Sequence, residues 1–234
     1  MIKAILILLS FFYYSFTYGD ENSLIQIIKK TYPELTVKNI EKTNFNDLYE
    51  VYIGNQIIYT NDNFDFLIVE GRVVDPKTRN DLTEIRLEEL SRVNFKDLPL
   101  SDSIKVVKGN GKRKIAVFSD VDCPYCKKLE KKELSNIDNV TIYTFLYPLA
   151  IHPEAEAKSR KIWCAKDRTK AWNAYILNDE LPKNSGECKT PISRTLKLGK
   201  DLGISSTPTI ILSDGKRIPG VIPYNQLEKY LDKL

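Results

Sequence analysis

Several features are scarce in this 234-residue sequence. The formal net charge is only +4, which is too small to predict binding to nucleic acid. The single histidine, His152, does not lie next to any of the four cysteines, so a Cys–His zinc motif is not formed. No cysteine lies near the apolar N-terminus, so a lipid anchor there is not indicated. What remains is an even number of cysteines in an otherwise ordinary composition.

The N-terminal residues 1–19 predict a cleavable signal peptide. Lys3 gives a positive start, the run 5–16 is apolar, and Thr17-Tyr18-Gly19 offers small residues for cleavage after Gly19. A single-pass anchor is the alternative, but the apolar run is shorter than the roughly 20 residues needed to cross a bilayer. Export to an oxidising compartment suits one catalytic and one structural cysteine pair.

The most informative motif is Cys123-Pro124-Tyr125-Cys126. Two thiols at this spacing can cycle between a dithiol and a disulfide with little backbone movement. The run 114–120 predicts a buried strand and the run 127–134 predicts a helix, with Pro124 suited to its first turn. Cys123 is therefore expected at a strand-to-helix junction, where orphan backbone N–H groups favour its thiolate.

This placement predicts different roles for the two thiols. A thiolate, and not a thiol, attacks a disulfide, so Cys123 is assigned as the nucleophile. Cys126, one turn further into the helix, is assigned as the less exposed resolving thiol. Half of a zinc site is the alternative, because two cysteines at this spacing are also metal ligands. Cys164 and Cys188 form no second close pair to complete such a site.

The region 20–80 predicts a small α+β unit built on an antiparallel sheet. Apolar residues near its start predict a helix that ends before Pro33. Strand-like runs follow at 36–40, 48–53, 56–60, 64–69 and 72–74, with turn residues such as Gly54-Asn55 between them. A capping box at Asp81–Glu84 then predicts a helix to Asn94, with a domain boundary near 95–110.

The remainder of the chain alternates strands and helices. Strands are predicted at 140–146, 207–212 and 217–220, a helical region at about 153–201, and a closing helix at 225–234. Together with the strand before Cys123, this order predicts a mixed sheet covered on both faces.

The motifs in the second half resemble those of a known family. They are Phe118-Ser119-Asp120, Cys123-Pro124-Tyr125-Cys126, His152-Pro153, Ile162-Trp163-Cys164-Ala165-Lys166-Asp167, Gly203-Ile204 and Thr207-Pro208. On these residues the sequence resembles the DsbC/DsbG family of periplasmic thiol:disulfide interchange proteins, a branch of the thioredoxin superfamily, and DsbC most closely. The N-terminal region is similar by size and element order.

The resemblance implies a fold and an activity. The fold is a cystatin-like α+β dimerisation domain over 20–80, a linker helix and hinge over 81–110, and an α/β thioredoxin-like catalytic domain with a helical insertion over 111–234. The activity is that of a periplasmic disulfide isomerase or reductase, with possible chaperone function. The partners are a second copy of the chain, mis-disulfide-bonded secreted proteins and a DsbD-type membrane electron donor. No cofactor besides the redox pair, no metal and no nucleic acid is implied.

The resemblance also implies roles for particular residues. Pro208 matches the family's cis proline beside the active site, and Thr207 would align a client strand. Substrate-positioning roles also fall on Pro124 and Tyr125. Cys164 and Cys188 match the structural disulfide, worth about 3 kcal/mol in the chain-entropy model, with a second redox pair as the alternative.

Other residues receive structural interpretations. His152 is expected to cap a helix at the surface, and the alternative is a proton relay. Trp163 and Trp172 are expected to pack in the core or between helices. Two positions depart from the family: Pro-Tyr replaces the usual DsbC Gly-Tyr between the cysteines, as in DsbG, and Val117 replaces the buried aspartate of thioredoxins. A net thiol oxidase, a reductase of oxidised single cysteines and a chaperone module remain open.

Overall fold

The structure is a computed structural model that describes residues 20–234. The predicted signal peptide, residues 1–19, lies outside the described residues. The chain divides into two compact units, with the division between Thr83 and Glu84. No helix within residues 20–234 has the length and apolar character needed to span a bilayer.

The N-terminal unit packs one helix on a three-stranded antiparallel sheet. Helix α1 (Asp20–Thr31) precedes strands β1 (Val37–Lys42), β2 (Tyr49–Ile53) and β3 (Gln56–Thr60), which lie in the order β1-β2-β3. The apolar stripe of α1 packs on the sheet because its buried residues recur at helical spacing. The core residues are Leu24, Ile28, Ile40, Tyr49, Val51 and Ile58.

Two of the predicted strands in this unit are absent among the described residues. The runs 64–69 and 72–74 contribute only isolated bridges, Tyr59 with Ile68 and Val74 with Asp81. Both runs are apolar enough to read as strands, but neither has a neighbour long enough to form a ladder. β2 is the central strand of this sheet, so its backbone is paired on both sides.

Helix α2 (Leu82–Leu90) follows the N-terminal sheet and is shorter than the predicted helix. The chain leaves the helical path after Leu90 and makes two 3₁₀ turns, Phe95–Asp97 and Leu100–Asp102. Residues in and before these turns are buried in the second unit.

The C-terminal unit holds a five-stranded mixed sheet. Its strands are β4 (Ile104–Lys108), β5 (Arg113–Ser119), β6 (Val140–Leu146), β7 (Thr209–Leu212) and β8 (Arg217–Pro219), in the order β4-β6-β5-β7-β8. Only the β5–β6 pair is parallel. The mixed sheet is confirmed, but β4 was not predicted, because the glycines and the proline on either side of it read as a hinge.

Helices cover both faces of this sheet, as predicted. They are α3 (Pro124–Lys128), α4 (Ala155–Trp163), α5 (Arg168–Asn178), α6 (Ile192–Asp201) and α7 (Tyr224–Leu231). Alternate residues of β5 serve the two faces. Ile115 and Val117 pack in the core that includes α7, and Ala116 and Phe118 pack in the opposite core.

The helical insertion between β6 and β7 has its own core and covalent link. Trp163 and Trp172 are buried in that core, which confirms their packing role. A disulfide joins Cys164 at the end of α4 to Cys188 ahead of α6, with Cα atoms 5.8 Å apart. The loop that it closes contains all of α5.

Candidate active site

The cysteine motif follows the carboxyl end of β5, the central strand of the sheet. Phe118 near the end of β5 is fully buried and stacks on Phe145 of β6, with ring centroids 4.9 Å apart. The chain then turns so that Cys123 stands in extended conformation immediately before α3, with Pro124 in the first turn. The missing N–H of a proline costs nothing there, because the first turn has no intrahelical acceptors.

Cys123 lies among several hydrogen-bonding groups. Its thiol is 5% exposed and lies 3.4 Å from the carbonyl oxygen of Thr207, to which it can donate. A hydrogen bond from Cys126 is the main cause that lowers the pKa of Cys123 to about 5, against an opposing effect of burial. The side chain of Thr207 and the backbone N–H groups of Cys126 and Tyr125 lower it further as hydrogen-bond donors. Such donors stabilise the thiolate.

The lowered pKa makes a testable prediction for the reduced protein. We expect the ultraviolet absorbance of the thiolate to appear in one step with a midpoint near pH 5, because Cys123 titrates there. Because the pKa of Cys123 in the folded protein lies below the ordinary thiol value of 9.0, ionisation of Cys123 stabilises the folded reduced protein. This stabilisation is complete only above about pH 9. That contribution is lost as the pH falls from about 9 to about 5.

The control for this titration is Cys123→Ala, which removes the titrating sulfur and should remove the step. Cys126→Ala should keep a step but move its midpoint upward, because it removes the main hydrogen bond to the thiolate. A midpoint near pH 9 in the unaltered protein would contradict the arrangement of donors around Cys123.

The pKa of Cys126 is shifted in the opposite direction from that of Cys123. Cys126 is fully buried, and burial is the largest cause that raises the pKa of its thiol above the ordinary value. The negative charge of Cys123 raises it further, while the Ser119 hydroxyl and the backbone N–H of Asp120 offer hydrogen bonds. The Asp120 N–H lies 3.4 Å from the Cys126 sulfur. At neutral pH the pair therefore holds one thiolate at Cys123 and one thiol at Cys126.

The loop before β7 forms the other wall of the site. The Thr207–Pro208 peptide bond is cis, and Thr207 is nearly buried with its carbonyl facing Cys123. The carbonyl of Pro208 accepts a hydrogen bond from Gly220 N–H at 2.7 Å. On the opposite side Tyr125 is 63% exposed, the second most exposed large apolar side chain in the C-terminal unit after Ile151. The structure thus places Thr207 and Pro208 on one side of the Cys123–Cys126 motif and exposes Tyr125 of the motif on the other side.

Asp120 places a fully buried carboxylate behind the cysteine pair. One of its oxygens accepts from the backbone N–H of Asp122 at 2.8 Å. The other lies 2.7 Å from the backbone N of Leu149 and 2.9 Å from Nδ1 of His152. These donors compensate the cost of burying the carboxylate.

Asp122, immediately before Cys123, is tied to the helical insertion. Its carboxylate accepts from Lys158 Nζ of α4 at 2.9 and 3.0 Å and from the Tyr175 hydroxyl of α5 at 2.7 Å. Burial opposes ionisation of Asp122, but these two partners together hold its pKa below the ordinary value. Burial and this same contact raise the pKa of Tyr175 to about 12. The insertion thereby fixes the loop that carries Cys123.

His152 corrects one sequence-based interpretation. Its ring does not cap α4 but binds the carboxylate of Asp120, and its side chain is 23% exposed. The backbone carbonyl of His152 accepts from Ala155 N–H at the start of α4. His152 therefore joins the site through Asp120.

Some site residues were not predicted. Asp120 was named only within the Phe118-Ser119-Asp120 motif, and no role was predicted for Asp122. Nothing pointed to Lys158 or Tyr175, because they lie 36 and 53 residues away from Asp122 along the chain. Within residues 20–234, no group of three or more His, Cys, Asp and Glu side chains gathers to hold a metal ion.

Two family models match this chain. A thioredoxin-like domain matches residues 100–234, and the disulfide bond isomerase protein N-terminal domain matches residues 16–84. The chain belongs to the DsbC family. The family membership and the combination of an N-terminal antiparallel domain with a thioredoxin-like domain are thereby confirmed.

Relatives of this DsbC-family chain carry names of the same kind. The probable thiol:disulfide interchange protein DsbC of Bordetella pertussis is 41% identical over 184 residues, which cover 79% of this chain and 64% of that protein. The thiol:disulfide interchange protein DsbC of Escherichia coli is 33% identical over 124 residues, which cover 52% of each. The chain thus spans between half and two thirds of the length of these relatives.

A solved structure supports the fold of the matched part. The disulfide interchange protein from Neisseria gonorrhoeae is 41% identical to the aligned part of this chain, with a TM-score of 0.56. The alignment covers 58% of this chain and 97% of that one.

Proposed function

We propose that this protein is a disulfide isomerase and reductase that acts by thiol–disulfide exchange through Cys123 and Cys126. The observation that carries this proposal is the division of the pair: Cys123 has a pKa lowered to about 5, and burial raises the pKa of Cys126. A thiolate that is available beside a protonated resolving thiol is what the exchange reaction needs.

The reaction follows from this division. The Cys123 thiolate attacks one sulfur of a client disulfide, a new S–S bond forms, and the other client sulfur leaves as a thiolate. A client thiolate can then attack the mixed disulfide and release Cys123, which shuffles the bond with no net redox change. Alternatively Cys126 loses its proton and attacks Cys123, which releases a reduced client and leaves the Cys123–Cys126 disulfide.

The surroundings of Cys123 fit a client of extended backbone. The Thr207 carbonyl faces the Cys123 sulfur from the opposite wall of the site. A client strand that pairs with the backbone of Thr207 would therefore lie beside Cys123 whatever side chains the client carries. Pro124 and Tyr125 would contact the client from the helix side, where both are exposed. This arrangement suits many client sequences.

The proposed setting is the periplasm, reached by cleavage of residues 1–19. Clients there are secreted proteins with wrong disulfides, and a membrane donor of the DsbD type would return the pair to the dithiol. The disulfide isomerase N-terminal domain matched at residues 16–84 supports a homodimer. The exposed apolar run Phe66, Leu67, Ile68 and Val69 gives that domain a surface to bury.

A net thiol oxidase is the second candidate, and one observation favours it. Stabilising the Cys123 thiolate stabilises the reduced pair, which makes the disulfide a stronger oxidant. The Pro-Tyr dipeptide also leaves a DsbG-like reductase of oxidised single cysteines open, and a chaperone role would reside in the dimer surface.

One experiment separates isomerase from oxidase. Catalytic amounts of the reduced protein are added to ribonuclease with scrambled disulfides, and the disulfide form of the protein is added to fully reduced ribonuclease. We expect the first mixture to regain ribonuclease activity well above the rate without protein, and the second to gain far less than one active ribonuclease per four added disulfides, which is the yield of complete oxidation. Recovery only in the second mixture would replace the isomerase with the oxidase.

A further inference from the structure

The buried carboxylate of Asp120 needs a positive counter-charge because it lies behind a thiolate. The backbone N–H of Asp120 points at the Cys126 sulfur, and its backbone carbonyl accepts from Cys123 N–H. Its side chain is fully buried, so water screens it poorly. Because Asp120 contacts both cysteines through its backbone, the negative charge of its side chain opposes formation of a second negative charge on Cys123.

Among the donors to the Asp120 carboxylate, only one can carry a full positive charge. The N–H groups of Leu149 and Asp122 are neutral amides, whereas His152 becomes a cation when protonated. The hydrogen bond to Asp120 is the largest cause that raises the pKa of His152 above its ordinary 6.5, and the charge of Cys123 adds to it. The positive charge of His152 and the negative charge of Cys123 are therefore expected to attract each other.

The other charges near His152 are already paired. Asp122 from the active-site loop also raises the pKa of His152, but its carboxylate is held by Lys158 from α4 and by the Tyr175 hydroxyl from α5. Lys158 is shared with Glu154 at 2.9 Å. These groups are the same in the reduced and the disulfide form, so they do not make His152 respond to the redox state.

We propose that His152 is a positioning residue for the thiol chemistry: its protonated ring, bound to Asp120, offsets the buried carboxylate and stabilises the Cys123 thiolate, and it releases part of a proton when Cys123 enters a disulfide. This inference rests on the proposed function of the cysteine pair. It assigns a role to the single histidine of the chain.

The bonds, electrons and protons balance in such a turnover. The client disulfide gains two electrons and leaves as one thiol and one thiolate, while Cys123 and Cys126 lose two electrons and form their S–S bond. Cys126 supplies the proton of the client thiol. A fall of half a pH unit in the pKa of His152 releases about 0.3 of a proton at most. That fraction passes to water and meets part of the demand of the departing thiolate.

The test uses the only histidine of the protein as its own probe. The ring C–H signals of His152 are followed by NMR from acid to alkaline pH in the unaltered protein without a histidine tag, once reduced and once as the Cys123–Cys126 disulfide. The midpoint should lie above 6.5 in the reduced form. It should be lower in the disulfide form by roughly half a pH unit, the size expected for one partly screened charge.

The outcomes are decisive in both directions. A higher midpoint in the reduced form supports the proposal, because a merely structural histidine has no reason to sense the thiolate. Equal midpoints, or a lower one in the reduced form, overturn it. Small thiols set the redox state in this experiment, so its result does not depend on whether the protein shuffles client disulfides.

A matched pair of variants gives the reciprocal measurement. His152→Gln keeps a neutral donor for Asp120 but removes the charge, so it should raise the pKa of Cys123 by about the same half unit. Lys197→Gln is the control, because it also removes one positive charge, from the exposed pair with Asp201 on α6. An unchanged Cys123 titration in His152→Gln would overturn the proposal.

Discussion

Replacing Cys123 by alanine is expected to reduce the recovery of scrambled ribonuclease to the rate without protein. Cys123 supplies the attacking thiolate, and none of the other three cysteines can replace it. Cys126 is fully buried and its pKa is raised, and Cys164 and Cys188 are joined to each other. The recovery of ribonuclease activity over time is the measurement.

Cys126→Ala is the matched variant, because it removes the other half of the pair and leaves the nucleophile. It should retain part of the shuffling, since a client thiol can still release Cys123, while reduction of clients to free thiols should stop. Mixed disulfides should accumulate. Equal recovery by Cys123→Ala and the unaltered protein would show that Cys123 is not the nucleophile.

Removing the N-terminal unit is expected to abolish most of the isomerase activity and to spare simple disulfide reduction. The cut belongs at Glu84, where the second compact unit begins. A fragment that starts at residue 100 would lose Val93, Phe95 and Leu98, which are buried in the core of the C-terminal unit. The fragment from Glu84 keeps the whole site, so its reductase activity should remain.

The loss of isomerase activity has a physical reason. Shuffling requires a partly folded client to stay bound through repeated attacks, and one small site offers little apolar surface for that. In the proposed homodimer two sites would share a client, which raises the effective concentration of the second thiolate. Light scattering should therefore give a dimer for the mature chain and a monomer for the fragment. A monomeric mature chain, or full isomerase activity from the fragment, would contradict this role.

The parts of the fold that follow from short segments of sequence were predicted well. The strand before Cys123 holds a continuous apolar run with polar ends, and β6 consists mostly of β-branched and aromatic residues, so both were recognised as strands. β4 was missed because its alternating Ile-Lys-Val-Val-Lys pattern is brief and stands between a proline turn and two glycines. The run 64–69 was wrongly predicted as a strand because an apolar segment does not reveal whether it has a partner.

Prediction of the site residues from sequence was limited in the same way. Cys123 and Cys126 are three positions apart in sequence, so their nearness and their different exposure follow from one helix turn. The contacts that hold the loop of Cys123 in place join residues from separate elements, such as Asp122 with Tyr175 of α5. A single aspartate, lysine or tyrosine carries no signal in sequence, because its function depends on the partner that folding brings to it.

The central claim is that the sulfur of Cys123 forms the covalent bond to the client. The most direct measurement is to incubate Cys126→Ala with a client that has one disulfide, block free thiols with acid and alkylation, and map the cross-linked peptides by mass spectrometry. The account predicts a client cysteine joined to Cys123 in the great majority of the complexes. A client joined to Cys164 or Cys188, or no covalent complex at all, would contradict it.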